Sequence, residues 1–371
     1  MVLSCEQALV NTQIMRSFSS SPITLPGNCS LQLANLVNPN GFHYTNNAGD
    51  HAIITYNVIT DTMFGTLKTG DGRSFCLEKC NDMYAWMEFD TTVFKPDKAV
   101  ELDKQDEDLE GGRGKSRSYL ATTNFAQYSV MFYYTKQFAE ITQDIPGFID
   151  QILAETNQGY VNSGVPLEVT KHCIEAADID EVEDSLKMLE AFRYMKNTIK
   201  RLRHSADAAI LLTEHMRNSC GIAFLNQVTT GYTLSVVHKS CALGYFSIGH
   251  ELGHNMGLHH NPEVTTNNYY PHGHGHLIDQ GVGNTGYRTI LAYSTPGHQT
   301  RVNYYSNPDV SYTITGTRTG VEGVSNNAQL LRQNMRMMAG IGDESLACRI
   351  PSKNQDTISY YPLLFSMLPR R

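Results

Sequence analysis

The segment "SIGHELGHNMGLHHNPE", Ser247 to Glu263, constrains this chain more tightly than any other. His250 and His254 lie four residues apart, so about 400° of helical rotation brings them onto nearly one face, one turn apart. Two imidazoles so placed can share a metal ion, and Glu251 between them is a candidate base acting on water at that ion. A catalytic zinc usually takes three protein ligands and leaves one position for water, so a third ligand must come from farther along. Gly257, three residues after His254, can adopt the left-handed conformation that ends a helix. A chain turned there brings His260 back toward the pair, giving His250-Glu251-x-x-His254-x-x-Gly257-x-x-His260. His259 falls one position short and is expected to point elsewhere.

The rest of the chain has to carry such a site. Its 371 residues suffice for two domains, or one large domain with an appendage. A hydrophobic fraction of 41% with 18% charged residues fits a globular chain. The net charge of -8 gives no basic surface for phosphate, which argues against a nucleic-acid partner. No run approaches the ~20 apolar residues that span a bilayer. Eight cysteines without a CxxC pair suit disulfides and an oxidising compartment, so an extracellular, secreted protein is expected. "NCS" at Asn28 is a possible glycosylation acceptor. "MVLSCEQALVNTQIMRSF" lacks the continuous apolar stretch of a secretory leader, so either the natural start lies upstream, which the cysteine usage favours, or the protein is intracellular with reduced thiols.

Residues 1–100 read as a β-rich unit. "HAIITYNVIT" (51–60) and "MYAWMEFD" (83–90) are strand-like, and Gly70-Asp71-Gly72 sits as a hairpin turn between two strand-like runs. Residues 101–118, within "ELDKQDEDLEGGRGKSRSY", are too charged to pack and form a linker. Arg113, Lys115 and Arg117 there are open to a processing protease, or the segment is only a solvated connector. Beyond it strands and helices alternate: a strand over 128–135, a helix over 145–164, a strand in "PLEVTKHCIE", and a helix over 183–203 with Leu186, Leu189, Phe192, Met195 and Ile199 on one face. "ADAAILLTE" (206–214) reads as a buried strand, and "GIAFLNQVTTGYTLSVVH" as two strands around Gly231.

From about residue 119 to 342 the chain resembles the metzincin zinc endopeptidases, nearest the reprolysin or adamalysin-like group (peptidase M12B type). "SADAAILLTE", "CGIAFLNQ", "SVVHKSCA" and "FSIGHELGHNMGLHH" keep that group's order, as do "YRTILAYST", "YYSNPDVSYTITGTRTG" and "NNAQLLRQN". The preceding unit, notably "GTLKTGDGRSFCLEKC", resembles a reprolysin-type propeptide. The resemblance implies an α+β fold: a zincin-like (metzincin) catalytic domain over 119–345, with a twisted mixed sheet and an active-site helix. A β-rich prodomain precedes it and a tail over 346–371 follows.

It also implies one catalytic Zn2+ on His250, His254 and His260, and hydrolysis of internal peptide bonds in protein substrates by a zinc-activated water with Glu251 as general base. Tyr293 would stand near the developing oxyanion. Leu291 would occupy the position of the methionine that packs beneath the metal, a swap that conserves volume and costs under ~1.5 kcal/mol. Asn261 stands where reprolysins usually have aspartate. The substrate would add as a strand to the edge formed by Gly221, Ile222, Ala223 and Phe224, with "YSTPGHQTRVNYYS" lining the pocket that selects a side chain. Cys220 and Cys348 resemble the bridge that ties the last helix to the sheet. A catalytically silent member of the fold, acting as a binding or extracellular matrix protein, is the alternative reading. His272, His274 and His276 alternate as on a strand face and read as strand residues rather than a second metal site.

Overall fold

The structure, a computed structural model, describes residues 2–6, 23–25, 29–38, 41–80, 83–101, 125–195, 206–225, 232–265, 270–279, 286–294 and 299–341. Eight strands come first: β1 (Val2–Glu6), β2 (Ile23–Leu25), β3 (Cys29–Asn38), β4 (Gly41–Thr45), β5 (His51–Asn57), β6 (Thr62–Lys68), β7 (Ser74–Cys80) and β8 (Met83–Phe89). They form one antiparallel sheet in the order β1-β8-β7-β6-β5-β4-β3-β2. Its apolar face gathers Phe42, Tyr44, Ile54, Leu67, Leu77 and Trp86. The expected turn joins β6 to β7, where Gly72 takes φ +93° and its N–H donates to the Thr69 carbonyl at 2.9 Å.

The next strand, β9 (Lys98–Val100), leaves that sheet. It joins a second one built from β10 (Ala126–Tyr134), β11 (Leu167–Ala176), β12 (Ala208–Thr213), β13 (Gly221–Phe224) and β14 (Leu234–His238), in the order β11-β10-β12-β14-β13-β9. The first four of these strands are mutually parallel, β13 runs antiparallel to β14, and β9 lies parallel to β13 on the outside. The expected N-terminal unit of residues 1–100 therefore gives up its last three residues to the other sheet. The expected linker, with Arg113, Lys115 and Arg117, lies outside the described residues apart from Glu101.

Period-two alternation divides β10 and β12 between two cores. Tyr128, Val130, Phe132, Ile210 and Leu212 face one side, while Met131, Tyr133, Ala209 and Leu211 face the other. After β10 come α1 (Lys136–Glu140) and α2 (Ile145–Asn162), then α3 (Ser185–Tyr194), α4 (Lys239–Ala242), α5 (Ser247–Asn255) and α6 (Asn327–Met338). α2, α5 and α6 fill the first core, and Met188, Leu189 and Phe192 of α3 fill the second. Leu186, expected on the buried face of α3, is 46% exposed. The expected continuation of that helix over 196–203 lies outside the described residues.

α2 is capped by Asp144, whose Oδ1 accepts from the Gly147 N–H at 3.0 Å, and Pro146 sits in its first turn. It is packed between the two sheets. Its apolar residues enter the first core, whereas Gln151, Glu155 and Gln158 meet the N-terminal sheet. A small third sheet joins β15 (Leu277–Asp279), β16 (Tyr287–Arg288) and β17 (Thr300–Arg301). No helix among the described residues is long and apolar enough to cross a membrane.

Cys220 is bonded to Cys241, with Cα atoms 5.5 Å apart, and not to Cys348 as expected. The hairpin explains the pairing. β13 runs back along β14, the His238 N–H donates to the Cys220 carbonyl at 2.8 Å, and α4 then folds Cys241 over that strand end. Cys348 lies outside the described residues.

Candidate metal centre

The geometry begins with the end of α5. Gly257 adopts φ +91°, its N–H donates to the His254 carbonyl at 2.9 Å, and the Leu258 N–H reaches back to the Gly253 carbonyl at 2.9 Å. This is the paired bonding of a Schellman stop, which a residue with a Cβ adopts only under strain. The chain leaves the helix in a reversed direction, and His260 comes to face His250 and His254.

The three Nε2 atoms converge: His250 to His254 2.9 Å, His254 to His260 3.0 Å, and His250 to His260 3.2 Å. The opposite nitrogens fix the tautomers. His250 Nδ1 donates to the Ile290 carbonyl and His254 Nδ1 to the Leu258 carbonyl, each at 2.8 Å. Both Nε2 atoms therefore carry lone pairs and no proton. Lone pairs aimed at one another inside a protein repel unless a cation lies between them. An ion with tetrahedral bonds of about 2.0–2.1 Å holds its ligand atoms about 3.3 Å apart, close to the triangle seen here. Burial, reinforced by neighbouring rings and by Arg301, pushes the three imidazoles down, His254 to about 3, so all are neutral ligands at ordinary pH. The donor set fits a metal ion.

Glu251, on the same helix, is fully buried, and neither carboxylate oxygen has a hydrogen-bond partner. Burial and then the neighbouring Asp97 charge push its carboxyl well above the usual carboxylate range. It lies against β13, where a Cβ on Gly221 would stand 2.3 Å from Glu251 Oε1. Gly221 therefore makes room for this carboxylate. Leu291 is fully buried beneath α5, its methyls 3.1 and 3.5 Å from where a Cβ on Gly253 would be. The Tyr293 ring lies 3.8 Å from that of His260, centroid to centroid. Asn261 is fully buried, accepts from the Tyr293 N–H at 2.8 Å and donates to Glu263 at 2.8 Å, so it joins the loop after His260 to the loop carrying Tyr293.

His259 points away from the triangle and faces the His274 ring at 5.7 Å. Of the alternating histidines, His274 supports the centre through the backbone, since its Nδ1 donates to the His260 carbonyl at 2.7 Å. A cleft of about 560 Å³ opens beside the centre, bordered by His254, His260, Tyr293, Ile222 and Leu186.

The expected free edge of the sheet is occupied. β9 lies along it, with Lys98 opposite Ile222, Ala99 opposite Ala223 and Val100 opposite Phe224, and the Leu225 N–H donates to the Val100 carbonyl at 2.7 Å. Just before β9, Asp97 is fully buried, its Oδ2 2.7 Å from Arg301 Nη1, and its backbone carbonyl accepts from the Tyr293 hydroxyl. The sequence gives no signal for Asp97. Arg301 lies in the segment expected to line the selecting pocket, and as that segment's one cation it could have been singled out.

A sequence model for metallo-peptidase family M12, of reprolysin type, matches residues 124–306. A peptidyl-Asp metalloendopeptidase of Stenotrophomonas maltophilia (strain K279a) is 32% identical over 195 residues, covering 51% of this chain and 46% of that protein. One of the same name from Pseudomonas fragi is 30% identical over 160 residues, covering 43% of this chain and 87% of that protein. The chain spans about half the length of the longer of these relatives. Among solved structures, metalloproteinase-II from Bacteroides fragilis aligns over 69% of this chain and 86% of its own, at a TM-score of 0.40 and 11% identity.

Proposed function

The chain belongs to metallo-peptidase family M12, and from that premise we propose that it is a zinc-dependent metalloendopeptidase acting on protein substrates at bonds beside aspartate. Family membership implies a metal ion. Zinc is the reading that three neutral imidazoles with an adjacent acid support best. The preference for aspartate is carried over from the name of the relatives. One observation carries the proposal: three Nε2 atoms within 3.2 Å of one another, their outer nitrogens held by carbonyls, beside a buried glutamate without a partner.

When bound, the ion polarises the scissile carbonyl and acidifies water. His250, His254 and His260 hold it, and the Ile290 and Leu258 carbonyls fix two of the rings in the ligating tautomer. Glu251 takes the proton of the attacking water at a carboxylate oxygen and later delivers it to the leaving amine. The Tyr293 hydroxyl donates to the oxygen on which charge develops in this reading, supported by its present bond to the Asp97 carbonyl. The N-terminal sheet is a propeptide-like unit in this reading, and the Cys220–Cys241 disulfide supports a secreted location.

The test compares peptide hydrolysis and metal content in three variants. Glu251→Gln keeps one ion per chain and loses cleavage, His260→Ala loses the ion, and His259→Ala retains both. Unchanged hydrolysis by Glu251→Gln would sink the assignment.

A further inference from the structure

Arg301 and Arg288 face each other across β16 and β17, two guanidiniums buried side by side. Arg288 is held on every side. Its Nε donates to the Gln299 carbonyl at 3.1 Å, Nη1 to the Ala292 carbonyl, and Nη2 to the Tyr245 hydroxyl at 2.9 Å. Arg301 is less completely engaged. Nη1 donates to the Tyr245 carbonyl at 3.0 Å and to Asp97 at 2.7 Å, the guanidinium lies 4.3 Å from the Tyr245 ring centroid, and Nε has no partner. The carboxylate that neutralises it comes from a different part of the fold, the short segment between the N-terminal sheet and β9.

That carboxylate does not cap the metal position. Its Oδ2 is 3.9 Å from His250 Nδ1, the nitrogen turned toward the Ile290 carbonyl, whereas the metal-facing atoms are the Nε2 set. The side chain lies beside Glu251 and His250, buried against Arg301, whose Nη1 also holds the Tyr245 carbonyl. Its backbone is held as a bound peptide would be. The carbonyl meets Tyr293, the next three residues pair with β13, and Phe94 upstream packs on the Tyr245 ring at 4.8 Å.

We infer that Arg301 is the specificity residue that reads a substrate aspartate, and that Asp97 is the chain's own aspartate lodged in the same pocket, keeping substrate out until the segment withdraws. The inference rests on the endopeptidase reading and supplies the residue behind its aspartate preference. Withdrawal of Asp97 leaves a buried cation beside a second cation, and an incoming carboxylate of the same length restores the pair. A glutamate carries one more methylene than the pocket now encloses, and an asparagine carries no charge. The expected order is therefore aspartate, then glutamate, then asparagine and alanine.

The experiment uses the full chain and fluorescein-labelled hexapeptides that differ at one position, Asp, Glu, Asn or Ala. In the non-cleaving Glu251→Gln background, adding Asp97→Ala frees the β13 edge for either peptide and tightens binding of the Asp peptide at least tenfold more than that of the Ala peptide by fluorescence anisotropy. Adding Arg301→Met to that double variant removes the difference between the two peptides. In cleavage assays, Asp97→Ala prefers Asp over Ala by at least about 100-fold, the discrimination of a site whose buried polar group is otherwise unpaired, and Asp97→Ala/Arg301→Met brings the ratio toward one. Two results overturn the inference: Asp peptides bound no better after Asp97→Ala, or an aspartate preference that survives Arg301→Met. Should no variant cleave while the Asp97- and Arg301-dependent binding stands, the pocket holds and the hydrolytic reading falls. Cleavage without regard to aspartate has the reverse meaning.

Discussion

Two of the surfaces at which the N-terminal part of the chain touches the rest differ in kind. On α2 the contact is broad and mostly polar, with the Phe64 ring set edge-on against Phe148 at one end. Thr55 donates to Gln151 at 3.0 Å, Gln151 to the Ile53 carbonyl at 2.9 Å, and Asn35 to Gln158 at 3.2 Å, while Asn57 and Thr60 donate to Asp144. Gln151, Glu155 and Gln158 lie on one helical face, at spacings of four and three. At the cleft the contact is narrow: three residues of backbone pairing, the Tyr293 hydroxyl on the Asp97 carbonyl, an aromatic contact and a buried ion pair. Water can replace the partners of a glutamine, so the first surface suits a unit that comes away. It cannot so readily replace the partner of a buried guanidinium, so the second calls for another occupant.

The largest effect should come from the ion pair. Asp97→Ala leaves Arg301 buried without its carboxylate, and loosening of the β9 segment by roughly 3–5 kcal/mol is expected. Amide hydrogen exchange at Lys98–Val100 reads it. If those amides stay as protected as in the wild type, backbone pairing alone holds the segment and the contrast collapses.

Beneath that segment, Gly221→Ala places a methyl 2.3 Å from where Glu251 Oε1 now sits. The carboxylate must move aside, and a displacement of about 1 Å at a catalytic group costs roughly 100-fold in rate. The expected signature is a fall in kcat with metal content unchanged. A variant with full kcat would show that Glu251 has room to act from another rotamer.

On the broad contact, Gln151→Leu strips partners from the Thr55 hydroxyl and the Ile53 carbonyl, at about 1–3 kcal/mol for buried groups left unsatisfied. Thermal melting followed by Trp86, the single tryptophan and wholly buried in the N-terminal sheet, should shift down, while exchange at β9 stays as it was. Loss of protection in both places would make the two contacts one cooperative unit.

Acid should act on the broad side as well. Burial pushes His43 down to about 4 and His51 to about 3, so both are neutral in the folded sheet and titrate near 6.5 once it unfolds. The unfolded chain then binds more protons between these values. Stability is fully present above pH 6.5 and drains away as pH falls toward 4. Trp86 fluorescence should report the loss, and His51→Gln should flatten its slope.

How far the sequence reveals this arrangement depends on the distance over which each interaction acts. The helix, its glycine stop and the three converging histidines fall within fourteen residues, and helical periodicity with one glycine turn orders them. The turn at Gly72 and the alternation in β10 and β12 are equally local. Asp97 and Arg301 are 204 residues apart in sequence, and "KPDKAV" has no period that would assign it to one sheet or the other. The pairing of Cys220 depended on which chain end folds over β13, which spacing does not encode. The role of His274 lies in a ring-to-backbone bond, invisible to a search for ligand patterns.

The smallest expected effect concerns the floor of the site, which neither N-terminal contact reaches. Leu291 is fully buried in the first core, its methyls against the Gly253 turn of α5, between the helix that carries His250 and His254 and the Ile290 carbonyl that accepts from His250. Leu291→Met keeps the volume and adds one flexible bond, so a change under ~1.5 kcal/mol in melting and an unaltered metal affinity are expected. Leu291→Ala opens a cavity in the same place at about 2–5 kcal/mol and lets α5 settle toward it. A methionine variant that loses metal as readily as the alanine variant would mean that the branched shape of Leu291, and not its bulk, holds His250 and His254 in register.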